Sequence, residues 1–66
     1  MKPEQFKADV LPLRESLFRI ARRMLEEEQD AEDAVQEAFL KLWQLRDSLD
    51  RYDSLAAFAS TVTRNL

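Results

Sequence analysis

The sequence contains no cysteine, no histidine and no glycine, and the first two absences narrow the range of functions. Without cysteine, neither a disulfide framework nor a thiolate metal site can form. Without histidine, the chain lacks the side chain that most often acts as a general base and as a metal ligand. The remaining carboxylates form no catalytic constellation, so we expect no enzymatic activity, no metal and no cofactor.

The lack of turn-forming residues indicates the fold class. A β-sheet protein of this size needs tight turns, and tight turns usually require glycine. The chain has no glycine and only two prolines, Pro3 and Pro12. Its 66 residues are enough for one small domain with a modest core. We therefore predict an all-α fold, a small three-helix bundle.

Long apolar runs are also missing, and the charges are unevenly distributed. No apolar segment approaches the roughly 20 residues of a membrane-spanning helix, and the polar N-terminus does not resemble a signal peptide. We therefore expect a cytoplasmic protein that does not bind membranes. The net charge of −3 argues against a simple electrostatic clamp on nucleic acid. Residues 26–37 carry seven acids and no base, which concentrates the negative charge in one segment.

Apolar residues recur at helical spacing along most of the chain. The first predicted helix extends from about Pro3 to Glu27 and is bent or split at Pro12, which cannot donate a backbone hydrogen bond. The second begins with Asp30 as its N-cap, where acids in the first turn favour a helix start, and ends near Leu45 or Arg46.

The remainder is predicted to form a loop and a third helix. Residues 46–52 contain many turn formers and no helical period, so we predict a loop there. Asp53 or Ser54 then caps a helix whose apolar positions continue to Leu66. Because no residue that typically ends a helix follows, this helix is expected to be truncated.

The second predicted helix places Asp33, Gln36 and Glu37 side by side, at positions i, i+3 and i+4. From the spacing alone, these side chains form either an ordinary hydrated face or a docking surface for a basic partner helix. Phe39 and Trp43 lie on the apolar stripe of the same helix and are predicted to be core residues.

Two further aromatic residues lie later in the chain. Phe58 falls on the apolar stripe of the third predicted helix, which indicates a core position. Tyr52 lies in the predicted loop, where it would either stack on an unpaired base or pack over the end of the bundle. The sequence leaves both interpretations of Tyr52 open.

Residues 30–43, DAEDAVQEAFLKLW, resemble the most characteristic segment of the extracytoplasmic-function sigma factors, which are small bacterial transcription initiation factors. The family segment typically reads D-A-E-D-[LV]-[VT]-Q-E-[TVA]-F-[LI]-[KR]-[LAV]-[WY], and only Ala34 departs from it. Residues 17–25, LFRIARRML, and residues 63–66, TRNL, are also similar to family segments. Phe58 stands where most members have tryptophan. The resemblance covers residues 6–66.

This resemblance implies region 2 of a sigma factor, in a fragment that lacks the end of region 2 and the C-terminal DNA-binding domain. The expected function is to bind the clamp helices of the beta-prime subunit of core RNA polymerase and to help recognise and melt the promoter −10 element. An anti-sigma factor is an additional expected partner. The residues that the resemblance places at the polymerase interface are Asp33, Gln36, Glu37, Leu40 and Lys41.

Sigma factors of this family capture a flipped base of the non-template strand. Extruding a base costs a few kcal/mol, which a pocket that reads its edge can offset. An asparagine amide offers both a donor and an acceptor to such an edge. The candidate DNA-binding residues are Ser48, Leu49, Asp50, Arg51, Tyr52, Arg64 and Asn65, of which Tyr52 is included for its stacking chemistry alone.

Two alternatives do not involve the polymerase. In the first, the chain is a helical protein–protein adaptor, such as an anti-sigma-like protein, whose acidic helix binds another basic partner. In the second, it is a structural helical fragment with no partner of its own. Binding to core RNA polymerase separates both alternatives from a sigma factor.

Overall fold

The computed structural model describes the whole chain, Met1 to Leu66, and confirms the all-α class. It contains four α-helices, which are α1 (Pro3–Asp9), α2 (Arg14–Met24), α3 (Glu28–Gln44) and α4 (Leu55–Arg64). One 3₁₀ helix, Leu11–Leu13, joins α1 to α2, and another, Arg46–Arg51, lies between α3 and α4. The bundle consists of α2, α3 and α4, each of which packs on the other two.

The first predicted helix is divided into α1 and α2 at Pro12. Proline has no N–H to donate, and its ring would clash with the carbonyl group one turn earlier in a continuous helix. The chain instead forms a 3₁₀ turn in which the Leu13 N–H donates to the Val10 carbonyl oxygen at 3.0 Å. Val10 is fully buried at this corner, so the break directs an apolar residue into the core.

The boundary between the next two helices differs from the prediction. α2 ends at Met24, and Arg22 donates to the carbonyl oxygens of Leu25 and Glu26 at 3.2 and 2.6 Å. These bonds satisfy carbonyl groups near the helix C-terminus. α3 begins at Glu28, earlier than predicted, because its acids then lie in a first turn where the helix dipole favours negative charge.

The core is built largely from small side chains. Its members are Phe6, Val10, Leu17, Ala21, Ala31, Val35, Ala38, Leu42, Leu49 and Ala59. The alanines on α2, α3 and α4 let the helix axes approach closely. Phe39, Trp43 and Phe58 were predicted to be core residues, and they pack against this core without being enclosed by it.

The segment predicted to be a loop, residues 46–52, is mostly a 3₁₀ helix, Arg46–Arg51. This helix turns Leu49 into the core, where its side chain is only 2% exposed. The segment therefore closes one end of the bundle.

Ser54, one of the two residues predicted to cap the last helix, is the N-cap of α4. Its Oγ accepts a hydrogen bond from the Ala57 N–H at 3.1 Å. We expect Ser54→Ala to lower the free energy of unfolding by about 1 kcal/mol and the melting temperature by about 4–8 °C. Ser54→Asp keeps an acceptor and should melt close to the wild type. Thermal melts followed by circular dichroism test this, and equal melting of all three proteins would show that the cap contributes nothing.

Candidate functional site

α3 has two opposite faces. Its buried face consists of Ala31, Val35, Ala38 and Leu42, which are at most 2% exposed. Because each residue advances the helix by about 100°, residues 33, 37 and 40 lie on the opposite side. The five side chains predicted to contact the polymerase are all exposed, and we call them the docking face: Asp33, Gln36, Glu37, Leu40 and Lys41.

The docking face combines free charge with an apolar centre. Neither Asp33 nor Glu37 forms an ion pair within the domain. Asp33 accepts only a side-chain hydrogen bond from Gln29, at 3.2 Å. Leu40, one turn from Glu37, is 59% exposed, more than any other large apolar residue. A solvent-exposed leucine bordered by unpaired carboxylates suits contact with a basic, amphipathic helix.

Glu32, in the same acidic segment, has a different role. Its carboxylate is half-buried and accepts from Arg14 at 2.6 Å, which joins the start of α2 to α3. A partly exposed pair of this kind contributes little to stability, about 0–1 kcal/mol. The segment therefore contains one acid that contacts the fold and others that face outward.

The second group of candidate residues lies around the 3₁₀ helix Arg46–Arg51. Asp50 and Arg51 are exposed and Ser48 is half-buried. Leu49 differs from the rest of this group, because its side chain lies in the core and is only 2% exposed. Asp50 also pairs with the amino group of Met1 at 3.2 Å.

Tyr52 stacks on Phe58, with ring centroids 3.9 Å apart and an interplanar angle of 14°. The Tyr52 side chain nevertheless remains 44% exposed. The two interpretations of this residue are therefore compatible, since one ring face packs on the bundle and the other is open to solvent. No sequence pattern indicates this stack, because the two rings lie on either side of the Ser54 cap.

The structure divides the candidate DNA-binding residues into two groups. Tyr52 lies just before the N-terminus of α4, whereas Arg64 and Asn65 are exposed at its C-terminus. A helix of this length separates its ends by about 15 Å. Tyr52 and Asn65 therefore lie near opposite ends of α4, at two separate points along the helix.

Comparison with known families identifies the family to which the fold belongs. The family model for sigma-70 region 2 matches residues 10–66, which is most of the chain. The chain therefore belongs to the sigma-70 region 2 family. Searches of curated proteins and of solved structures found no significant match.

Membership of this family establishes the function at the level of the domain. Sigma-70 region 2 binds the beta-prime subunit of core RNA polymerase and recognises and melts the promoter −10 element. The domain is thus a non-enzymatic module of a transcription initiation factor, as predicted. The adaptor and structural-fragment alternatives are set aside. No helix of the domain has the length and apolar character needed to cross a membrane.

Proposed function

We propose that this domain is region 2 of an extracytoplasmic-function sigma factor and that its docking face binds the clamp helices of the beta-prime subunit. The subgroup is supported by the close resemblance of residues 30–43 to that subgroup's most characteristic segment. The observation that carries the proposed interface is the geometry of α3, on which Asp33, Glu37 and Leu40 face away from the core.

The parts of the docking face have different roles in this proposal. Asp33 and Glu37 attract a basic partner and chiefly set the association rate and the specificity. Leu40 supplies the apolar contact, which excludes water on binding. Gln36 and Lys41 border this centre and fix the register of the partner helix.

Binding of the purified domain to core RNA polymerase, and to the isolated clamp-helix segment, tests this interface. We expect the domain to bind both the polymerase and the isolated segment. Binding to the polymerase without binding to the isolated segment would locate the interface elsewhere on the beta-prime subunit.

We propose that the non-template strand passes along α4. The open face of Tyr52 stacks on an extruded base, and Asp50 or Ser48 offers hydrogen-bonding groups to its edge. Arg51 and Arg64 approach the phosphates, and the Asn65 amide contacts a nucleotide farther along the strand. The distance between the ends of α4 supports two separate contacts in place of one shared pocket.

Replacing Tyr52 tests the stacking contact. Tyr52→Ala should weaken binding of a single strand by about 1–3 kcal/mol, or roughly 5- to 150-fold in Kd. The wild-type domain in complex with core RNA polymerase first selects an oligonucleotide from a random single-stranded pool. The affinity of this oligonucleotide is then measured for the polymerase complexes of the wild type and of each variant. Tyr52→Phe keeps the ring and should bind like the wild type.

Since Tyr52 also packs on Phe58, thermal melts must show that Tyr52→Ala remains folded. A folded Tyr52→Ala complex that binds the oligonucleotide like the wild type would contradict the stacking role. When each base of the oligonucleotide is replaced in turn, the affinity should fall most at one position, which is that of the extruded base.

We also propose that the domain acts together with a separate DNA-binding domain of the same sigma factor, in the cytoplasm where core RNA polymerase acts. An anti-sigma factor would inhibit it by covering the docking face. In that case an anti-sigma factor and the clamp-helix segment compete for the domain, and a ternary complex of all three does not form.

A further inference from the structure

An open groove of about 500 Å³ lies between α1 and the C-terminal half of α3. It is lined by Pro3, Glu4, Phe6, Lys7, Leu11 and Trp43. The aromatic rings and Leu11 form an apolar floor, and Glu4 and Lys7 place one charge of each sign at the rim. Most of these residues precede residue 10, so they lie outside the segment that matches the family model.

The floor of the groove is held in place on more than one side. Phe6 meets Trp43 edge to face, with ring centroids 5.1 Å apart and an interplanar angle of 84°. The Arg46 guanidinium lies over the indole ring, 4.2 Å from its centroid, and also donates to the Trp43 carbonyl oxygen at 2.9 Å. A site fixed in this way loses little conformational entropy when it is filled.

Leu11 and Trp43 make this groove continuous with the docking face. Trp43 follows Leu40 by three residues and Gln36 by seven, so the three side chains are neighbours along α3. Leu11 is 42% exposed at the groove, and Leu40 is 59% exposed on the docking face. A series of apolar side chains therefore leads from Leu40 on the docking face, past Trp43, to Leu11 in the groove.

We propose that the groove receives an apolar side chain of the same beta-prime helix that binds the docking face. This inference rests on the proposed function. A partner helix lying along α3 needs only about one further turn, 5.4 Å, to pass from the level of Leu40 to that of Trp43. The contact adds a binding element, supplied by α1 and Leu11, to the acidic surface of α3.

The chemistry of the groove favours this occupant over a small molecule. A small-molecule site needs convergent polar groups that fix the orientation of the ligand, whereas here the floor is apolar and the charges lie at the rim. Because Glu4 and Lys7 have opposite signs, the rim as a whole neither attracts nor repels a basic helix. Continuity with the docking face is what assigns the groove to the polymerase.

Leu11→Glu and Met24→Glu form a matched pair for the test. The two side chains are 42% and 46% exposed, and neither belongs to the buried core, so both variants should fold. Each substitution adds one negative charge, but Met24 lies at the far end of α2 from the groove. We expect Leu11→Glu to weaken binding to the isolated clamp-helix segment about tenfold or more. Met24→Glu should bind like the wild type.

The loss should appear mainly as faster dissociation, because an apolar contact forms after the electrostatic encounter. Biolayer interferometry measures both rates, and circular dichroism checks the fold. Leu11→Ala, which removes the contact without adding a charge, should show the same change in smaller degree. Unchanged binding by folded Leu11→Glu would overturn the inference.

Further outcomes separate this inference from the proposed docking face. If Glu37→Lys loses binding and Leu11→Glu does not, the docking face stands and the groove plays no part. If neither variant loses binding, the proposed interface itself is wrong. If Leu11→Glu instead abolishes a concentration-dependent dimer in sedimentation velocity and leaves binding intact, a second copy of the chain occupies the groove.

Discussion

Replacing Leu42 with alanine is expected to bring the domain close to its unfolding midpoint. Leu42 is fully buried between the helices, and its loss removes apolar contacts and leaves a cavity. Truncations of this kind lower the free energy of unfolding by about 2–5 kcal/mol. At roughly 0.05–0.15 kcal/mol per residue, a domain of this size has only about 3–10 kcal/mol to lose.

Leu40→Ala is the matched control, because it makes the same substitution two residues earlier on the same helix. Leu40 is 59% exposed, so its truncation should change stability by no more than about 0.5 kcal/mol. Urea denaturation followed by circular dichroism measures both variants. Comparable losses in the two proteins would mean that the buried and exposed faces of α3 are misassigned.

The phase of α3 is the part of the fold that the sequence predicts best. The helix has 17 residues, and its buried positions repeat through several turns, so one apolar period determines its orientation. The pattern does not determine how deeply a side chain is enclosed. Phe39 lies on the edge of the stripe and is only half-buried, so its truncation should cost less than the loss of a fully enclosed phenylalanine.

The 3₁₀ helix Arg46–Arg51 could not be predicted in the same way. A short 3₁₀ helix gives no useful periodicity, and this one contains a single apolar residue, Leu49. Whether such a residue is buried depends on how the helices beneath it pack together, and a local sequence pattern does not determine that packing. For this reason the sequence pattern does not indicate that Leu49 is buried.

The candidate sites show the same division between local and long-range information. The docking face lies within one helix, so spacing alone brings Asp33, Gln36 and Glu37 together, whereas Leu40 and Lys41 were added from the family resemblance. The groove depends on Phe6 meeting Trp43, and the Tyr52 platform depends on Phe58 beneath it. Neither aromatic pair follows a local period, so only the folded arrangement reveals the two surfaces.

Reversing the charge of Glu37 is expected to weaken binding to core RNA polymerase strongly while leaving the domain folded. Glu37 is exposed and forms no ion pair, and both glutamate and lysine are good helix formers. The new lysine would repel Lys41 and attract Asp33, each four residues away, by only about 0.2–0.5 kcal/mol. Helix content and melting temperature should therefore stay close to those of the wild type.

Binding should respond differently, because a like charge facing a basic partner costs several kcal/mol. We expect Glu37→Lys to raise the Kd for core RNA polymerase about 100-fold, which corresponds to about 2.7 kcal/mol. Glu26→Lys is the matched control, since it changes the net charge equally at an exposed position between α2 and α3. It should bind almost as tightly as the wild type, measured by fluorescence anisotropy at one fixed salt concentration.

The salt dependence of the two variants distinguishes a local contact from a general effect of charge. Salt screens exposed charges beyond a Debye length of about 10 Å at 0.1 M, so a long-range effect should vanish for both variants as salt rises. A direct repulsion at the docking face should persist for Glu37→Lys, since a close pair that excludes water is screened less. An arginine-to-glutamate change at the facing position of the clamp helix should then restore binding to Glu37→Lys alone. Equal losses for Glu37→Lys and Glu26→Lys, without such rescue, would mean that only the overall charge of the domain matters and that α3 presents no specific docking face.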